Sequence, residues 1–490
     1  MVQKTSSVQK TQSKGNHDYK KLGFKCGLEI HQQLDTHNLF CSCPSIVHDT
    51  GAHVLARRRL KAVVGETGEI DTAAAHEQKK SKEMVYEGCD TSYCLIELDE
   101  EPPRPMNQEA LHIALTVAKM LHCEIVDEIQ VMRKTVIDGS NVSGFQRTAL
   151  VGMNGYIETS LGRVGVPTLC LEEEAAKKLQ NTGNDSETHY RIDRLGVTLL
   201  EIATDASIQN PEHAKECAEQ LGMILRSTGK VKRGIGSIRQ DVNVSIKGGV
   251  RVEIKGFQDL RSIPKVITYE INRQYEAVSQ KKKLQKEVRK AEPDFTTSFL
   301  RPMPGAARLY PETDVLPVPI SKELLDSIVV PQLLSEQKEL LQKEYGLDQG
   351  IIDKLLKRDI NMKEWALRLK NLSPTFIASS STATTTEIER KEKVTISNDV
   401  IYDVLLLIDK GSIPKDAFSD VVLKKTRGEK IDLGAYASVD DAELEKAVAQ
   451  IIAKKPGLNV GGYMGLVMAQ FKGKVDGKKA SAVVAKLLKK

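Results

Sequence analysis

The stretch SIRQDVNVSIKGGVRVEIK, Ser237 to Lys255, decides the fold class. Ile238, Val242, Val244 and Ile246 alternate with Arg239, Asp241, Asn243 and Ser245. After Lys247-Gly248-Gly249, Val250, Val252 and Ile254 alternate with Arg251, Glu253 and Lys255. A period of two on both sides of a glycine break predicts a β-hairpin. A two-residue Gly-Gly loop would set Ser245 against Val252 and mix polar with apolar on each face. A three-residue loop pairs Ile246 with Val250, Asn243 with Glu253 and Asp241 with Lys255, and keeps the faces consistent. It also puts glycine at the third loop position, as a turn-plus-bulge connection prefers. One face then carries Arg239, Asp241, Asn243, Ser245, Arg251, Glu253 and Lys255. That mixture is either a salt-bridged solvent face or a site for a phosphorylated, metal-bound ligand, with cations toward phosphate and carboxylates toward metal.

Working outward, Leu22 to Leu34 shows the same period. Leu22, Phe24, Cys26, Leu28 and Ile30 alternate with partners that include Glu29 and His31. Glu29 and His31 therefore share one strand face, as a solvated surface or as a pair able to hold a cation or exchange a proton. Leu169 and Leu171 run into Glu172-Glu173-Glu174, which reads as a strand entering the acidic first turn of a helix. Tyr190 to Thr204 adds Asp193 and Glu201 beside an apolar strand. These patterns predict an α+β fold with a large, mostly antiparallel sheet. The domain expectation is a disordered leader over 1–20, the sheet domain over 21–320, a helical domain over 321–378, a polar linker over 379–394 and a helical tail over 395–490. Arg273 to Ala291 is charged and expected to be helical.

Composition excludes some functions. With 71 basic and 66 acidic residues the net charge is only +5, too balanced to imply nucleic acid. The stretch Phe471–Lys490 is locally basic, with seven lysines and one aspartate, either a solubilising helix face or a contact for RNA phosphate. No apolar run approaches the ~18 residues of a membrane span. The leader lacks the apolar core of a secretion signal. A reducing, cytoplasmic setting is expected, in which Cys41, Cys43, Cys89 and Cys94 are either buried thiols or a tetrahedral zinc site. GKVKRGIG, Gly229 to Gly236, is glycine-rich but lacks the Lys-Ser/Thr ending of a phosphate loop. No Gly-x-Ser-x-Gly elbow is present, and if glutamine were a nitrogen source its hydrolysis would be expected on another chain.

GLEIHQQLDT (Gly27–Thr36), LEEEAA (Leu171–Ala176), RIDRLGVTLLEI (Arg191–Ile202), GSIRQDVNVSI (Gly236–Ile246), RVEIKGFQDL (Arg251–Leu260) and RPMPGAARLYPETDV (Arg301–Val315) resemble, in order, motifs of the B/E-type subunits of tRNA-dependent amidotransferases. The tail GKVDGKKASAVVAKLL is similar to the family's helical tail, which binds tRNA. The resemblance implies a glutamine synthetase-like fold and ATP- and Mg²⁺-dependent γ-phosphorylation and amidation of Glu-tRNA(Gln). It implies catalytic carboxylates and imidazole at Glu29, His31, Glu172, Glu173, Asp193, Asp241 and Glu253. Of these, Glu29, His31 and Glu173 are expected on magnesium. Arg239, Lys255, Asn243 and Ser245 are expected on ATP phosphates, and Cys41, Cys43, Cys89 and Cys94 on structural zinc. Details such as FCSCP (Phe40–Pro44) resemble the archaeal E form more than the bacterial B form. That implies an asparaginase-like rather than an amidase-like glutaminase partner. The sequence departs from the E form in one respect: only about Gln274 to Ser298 stands where that form carries an inserted synthetase-like domain. A B-type Asp-tRNA(Asn) enzyme and a non-catalytic tRNA scaffold are the alternatives.

Overall fold

The computed structural model describes residues 18–48, 50–61, 70, 72–179, 186–257, 259–303, 309–436, 441–471 and 477–488. The expected leader lies outside them except for 18–20. The chain divides into two compact units, one ending at Leu333 and one beginning at Leu334.

Among the described residues the first unit is built on an eleven-stranded sheet. Its strands in chain order are β1 (Lys25–Gln33), β2 (Glu124–Ile125), β3 (Val131–Thr135), β4 (Phe145–Thr159), β5 (Gly162–Glu173), β6 (Thr198–Ala203), β7 (Ile238–Ser245), β8 (Val252–Lys255), β9 (Glu287–Ala291), β10 (Thr297–Pro302) and β11 (Leu309–Pro311). They lie side by side as β10-β9-β8-β7-β1-β6-β5-β4-β3-β11, with β2 also against β4. Every pairing is antiparallel except β8 with β9. The hairpin register is the expected one, Val242 opposite Ile254 and Asn243 opposite Glu253. Its loop differs in one detail: the left-handed residue is Gly248, at φ +79°, and not Gly249. Gly249 is required for space, because a Cβ there would run into Gln274 Oε1.

Period-two alternation decides which face is buried. Leu28, Ile30, Val242, Val244, Leu200, Ile202, Leu169 and Leu171 turn to one side, into a single core. Three helices supply the other half of that core: α1 (Gln108–Met120), α2 (Pro211–Ser227) and α3 (Ile263–Ser279). Their starts are written locally. Asn107 Oδ1 accepts from Ala110 N at 3.1 Å, and Asn210 Oδ1 accepts from His213 N at 2.8 Å with Pro211 at the first helical position. A smaller four-stranded sheet of His53–Arg59, Glu83–Gly88, Glu187–Arg191 and Lys177–Lys178 has its own core around Met84, Tyr86, Tyr190 and Ile192.

Several expectations are corrected. Glu172 and Glu173 end a strand and do not open a helix. The helix expected over 273–291 stops at Ser279, where Lys281 enters the left-handed region, and Glu287–Ala291 is strand β9. Residues 321–333 join the sheet domain, since Leu324, Leu325, Ile328 and Leu333 pack on its core. The second unit is helical, and its first core runs from Leu347 to Tyr436. The expected linker over 379–394 is helix to Glu392, and Ser380, Ser381, Thr382 and Thr385 are buried. These small hydroxyls satisfy themselves on their own helix: Ser381 Oγ donates to Ile377 O and Thr382 Oγ1 to Ala378 O, each at 2.6 Å. A second small core joins Leu444, Val448, Tyr463, Val467 and Val484. Among the described residues no helix is long and apolar enough to cross a membrane.

Candidate functional site

The face of the sheet opposite the helices is polar, and β1 stands at its centre. Antiparallel pairing puts Glu29 beside Asp241 and His31 between Glu201 and Arg239. His31 Nε2 lies 3.4 Å from Glu29 Oε1 and 3.3 Å from Glu201 Oε2. Glu201 Oε2 accepts from Lys134 Nζ at 3.0 Å, and the same ammonium donates to Glu172 Oε1 at 2.9 Å. Thr148 Oγ1 (2.8 Å) and Gln146 Nε2 (3.0 Å) complete the shell of Glu172. On the other flank Lys255 Nζ bridges Asp241 Oδ2 at 2.5 Å and Glu253 Oε1 at 2.6 Å. One ladder of charges thus crosses β3, β5, β6, β1, β7 and β8.

Burial and neighbours set the charge states. Burial, reinforced by the Glu201 charge, pushes Glu172 up to about 7 against the pull of Lys134 and His31. Burial likewise raises Glu29, with Glu201 adding to it. For His31, burial opposes the charged form, but the hydrogen bond and charge of Glu201 win and its pKa lies above the usual value. Burial also opposes the charge on Lys255, yet Asp241, Glu253 and Glu29 hold it above the usual lysine range. Glu201 is held low despite burial, by His31 and Lys134. Glu29, His31 and Glu201 offer ligand atoms that all lie within 4.8 Å of one another, a donor set that fits a divalent cation.

Other expected residues are placed differently. Glu173 points to the opposite side of β5, buried on Arg147 (3.3 Å), whose Nε also holds Glu312 at 2.8 Å. It is not with Glu29 and His31. Asp193 is fully buried and accepts from Cys89 N at 2.9 Å and His48 N at 3.3 Å, so it holds a loop. Arg239 reaches the site but pairs with Glu174 Oε1 at 2.7 Å. Asn243 and Ser245 continue the polar face into a cavity of about 360 Å³ shared with Glu29 and Arg251, where Asn243 Oδ1 accepts from Arg251 Nε at 2.9 Å. The larger cavity, about 1260 Å³, is lined by His31, Glu174, Arg239, Asp241 and Lys255 among others.

The cysteines divide. Cys41 Sγ lies 2.9 Å from Glu97 Oε1, and Cys94 Sγ and Cys43 Sγ lie 3.1 and 3.9 Å from Glu97 Oε2. Cys41, Cys43, Cys94 and Glu97 form a compact set that could hold a metal. Cys89 is not among them; its thiol donates to Thr50 O at 3.4 Å. Burial and Glu97 push Cys94 up to about 12, so a metal would bind there by displacing thiol protons. Three thiols and a carboxylate fit four-coordinate zinc.

Sequence reasoning assigned no role to Lys134, Glu201, Glu174 or Glu97. Glu201 was visible as the acid of an apolar strand, and Glu97 as the third residue after Cys94. Glu174 was visible as the last of three consecutive acids, and Lys134 carries no local signal, because only long-range strand pairing brings it to the site.

The chain belongs to the family described as the GatB/GatE catalytic domain, whose model matches residues 24–326. It is an enzyme component of amidotransferase type. It is 36% identical to the E-type subunit of glutamyl-tRNA(Gln) amidotransferase from Archaeoglobus fulgidus, over 96% of this chain and 98% of that one. It is 34% identical to the protein of the same name in Methanosarcina barkeri, over 97% and 98%. The aligned lengths, 625 and 628 positions, exceed the 490 residues here, so these relatives carry residues without a counterpart in this chain.

Proposed function

We propose that this chain activates the γ-carboxylate of glutamate esterified to tRNA(Gln) and converts it to the amide, within a glutamine synthetase-like fold. The observation that carries this reading is the charge ladder from Lys134 to Lys255 on one sheet face, whose members His31, Asp241 and Lys255 line a cavity of about 1260 Å³. That volume exceeds the ~300–1,000 Å³ of an ordinary ligand pocket, and two large substrates must meet there.

Direct amination of a carboxylate fails, because oxide is a poor leaving group and ammonia is protonated by the acid. In the first step a γ-carboxylate oxygen attacks the γ-phosphorus of ATP and the bond to ADP breaks, giving an acyl phosphate. Such a transfer needs positioned charge more than covalent help. Lys255 and Arg239 supply cations toward phosphate. Glu29, His31 and Glu201 are the residues that would hold Mg²⁺, which when bound supplies neutralisation of phosphate charge. In the second step ammonia attacks the acyl carbon, phosphate leaves, and one proton is lost from nitrogen. Glu172, whose pKa burial places at about 7, is suited to accept it. The ammonia comes from a separate glutaminase chain of the asparaginase-like kind, in keeping with the similarity to E-type relatives. Zn²⁺ on Cys41, Cys43, Cys94 and Glu97 would be structural. The helical unit is the tRNA-binding part, and the cytoplasm the site of action.

The test is to incubate the chain with ammonium, Mg²⁺, ATP and either Glu-tRNA(Gln) or Asp-tRNA(Asn), then identify the amino acid released on deacylation. Glutamine formed with one ADP and one phosphate is expected. Asparagine instead would select the Asp-tRNA reading, and tRNA binding without ATP consumption a scaffold. Glu29→Gln and His31→Ala should each remove at least 100-fold of activity while the chain stays folded, and full activity in both would sink the site assignment.

A further inference from the structure

The loop Gly229–Ser237 (GKVKRGIGS) takes no part in the chemistry above, yet it is firmly mounted beside it. Gln32 follows His31 on β1, is almost fully buried, and donates Nε2 to both Lys232 O and Ser237 O at 3.1 Å. The backbone repeats this clamp, with Lys232 N on Gln33 O at 3.0 Å and Gln33 N on Ser237 O at 2.8 Å. Lys232 Nζ donates to Ser45 O. At the tip Ser237 Oγ donates to Gly234 O at 2.8 Å, closing a turn whose glycines, Gly234 and Gly236, sit at φ +116° and +86°.

This turn holds Ile235 wholly in solvent: at 108% relative exposure it is the most exposed large apolar side chain among the described residues. A rigid loop that keeps an isoleucine out of every core gains nothing for folding. The side chain lines the same large cavity as His31, together with Leu260, Leu300 and Arg226. Arg226, at the end of α2, has no acidic partner among the described residues, and Arg233 lies near enough to work against its charge. An unpartnered guanidinium and a bare aliphatic side chain lining one cavity are the complement of a phosphorylated nucleoside, with phosphate on the cation and the base plane on the hydrocarbon.

We propose that Ile235 and Arg226 form an adenosine-phosphate subsite of the catalytic cavity, an inference that rests on the functional reading above. Its ligand is the adenosine 5′-phosphate unit shared by ATP and the 3′ end of tRNA. Affinities of the full chain for Mg·ATP, Mg·tripolyphosphate and the trinucleotide CCA test it. Ile235→Ser should weaken one adenosine ligand about 5–10-fold, as loss of one apolar contact does. It should leave tripolyphosphate unchanged, and Ile235→Leu should restore binding. Loss confined to Mg·ATP assigns the subsite to the nucleotide; loss confined to CCA assigns it to the tRNA end. Arg226→Gln should weaken the same adenosine ligand. Wild-type affinity of Ile235→Ser for both adenosine ligands, or equal weakening of tripolyphosphate, overturns the subsite and leaves the catalytic reading standing. Failure of the wild-type chain to bind any of the three overturns the catalytic reading and the subsite with it.

Discussion

Glu172 and Glu173 adjoin in sequence and face opposite sides of β5, and their environments define two different jobs. Glu172 touches Lys134, Thr148 and Gln146 on the polar face of the sheet. Glu173 neutralises Arg147 inside the protein, where removing one partner of a buried pair costs about 3 kcal/mol. Glu172→Gln is therefore expected to lower Glu-tRNA-dependent ADP release at least 100-fold with little change in the urea midpoint. Glu173→Ala should shift the midpoint strongly while residual folded enzyme keeps its turnover number; the reverse pattern would exchange their roles. Parity within one strand was readable from sequence, which is why Glu29 and His31 were placed together. Which acid of a Glu-Glu-Glu run faces the site was not, because it depends on the partner strand. The cysteines obey the same limit. Spacing offered four thiols, but only three converge, and Glu97 stands where a fourth would be. Cys94→Ser should abolish zinc retained after dialysis and Cys89→Ser should not, as read by metal analysis of the purified chain; equal loss in both would restore the four-thiol set.

Strands and helices were legible wherever a local period or cap was strong. The β7–β8 hairpin keeps its predicted register because a one-residue slip would carry Val242, Val244, Val252 and Ile254 out of the core. The stretch SSSTATTTEIERKEK (Ser379–Lys393) failed for the opposite reason. Its composition suggests an exposed linker, yet Ser381, Thr382 and Thr385 are small enough to pack at the core and to bond back to carbonyls of their own helix. Composition measures polarity; burial depends on whether that polarity can be satisfied locally. Limited trypsin digestion distinguishes the two. Helical packing predicts that Arg390 and Lys391 stay uncut until the second unit unfolds, whereas a linker would be the first site cleaved. Ser381→Asp should abolish that protection, because it forces an unpaired carboxylate into a fully buried position.

For the whole molecule, where one core ends governs which pieces can be removed. A boundary drawn at Thr395 from texture would cut through the core that joins Leu347, Ile377 and Ile401 with Val422 and Tyr436. The smaller core of Leu444, Val448, Tyr463, Val467 and Val484 shares none of those residues. Removal of 441–490 is thus the truncation that leaves the remaining cores intact. Net charge could not locate a nucleic-acid surface. Of the seven lysines after Phe471, only Lys486 has a described side chain, and it is paired with Glu445 at 2.5 Å. If this last bundle holds tRNA, the truncated chain should bind Mg·ATP as the full chain does and lose at least 10-fold in tRNA affinity. The loss should shrink as salt rises, because phosphate contacts release counterions. Filter binding at two salt concentrations reads both effects. Unchanged tRNA affinity at low salt would move the RNA contact to the part of the second unit that ends at Tyr436.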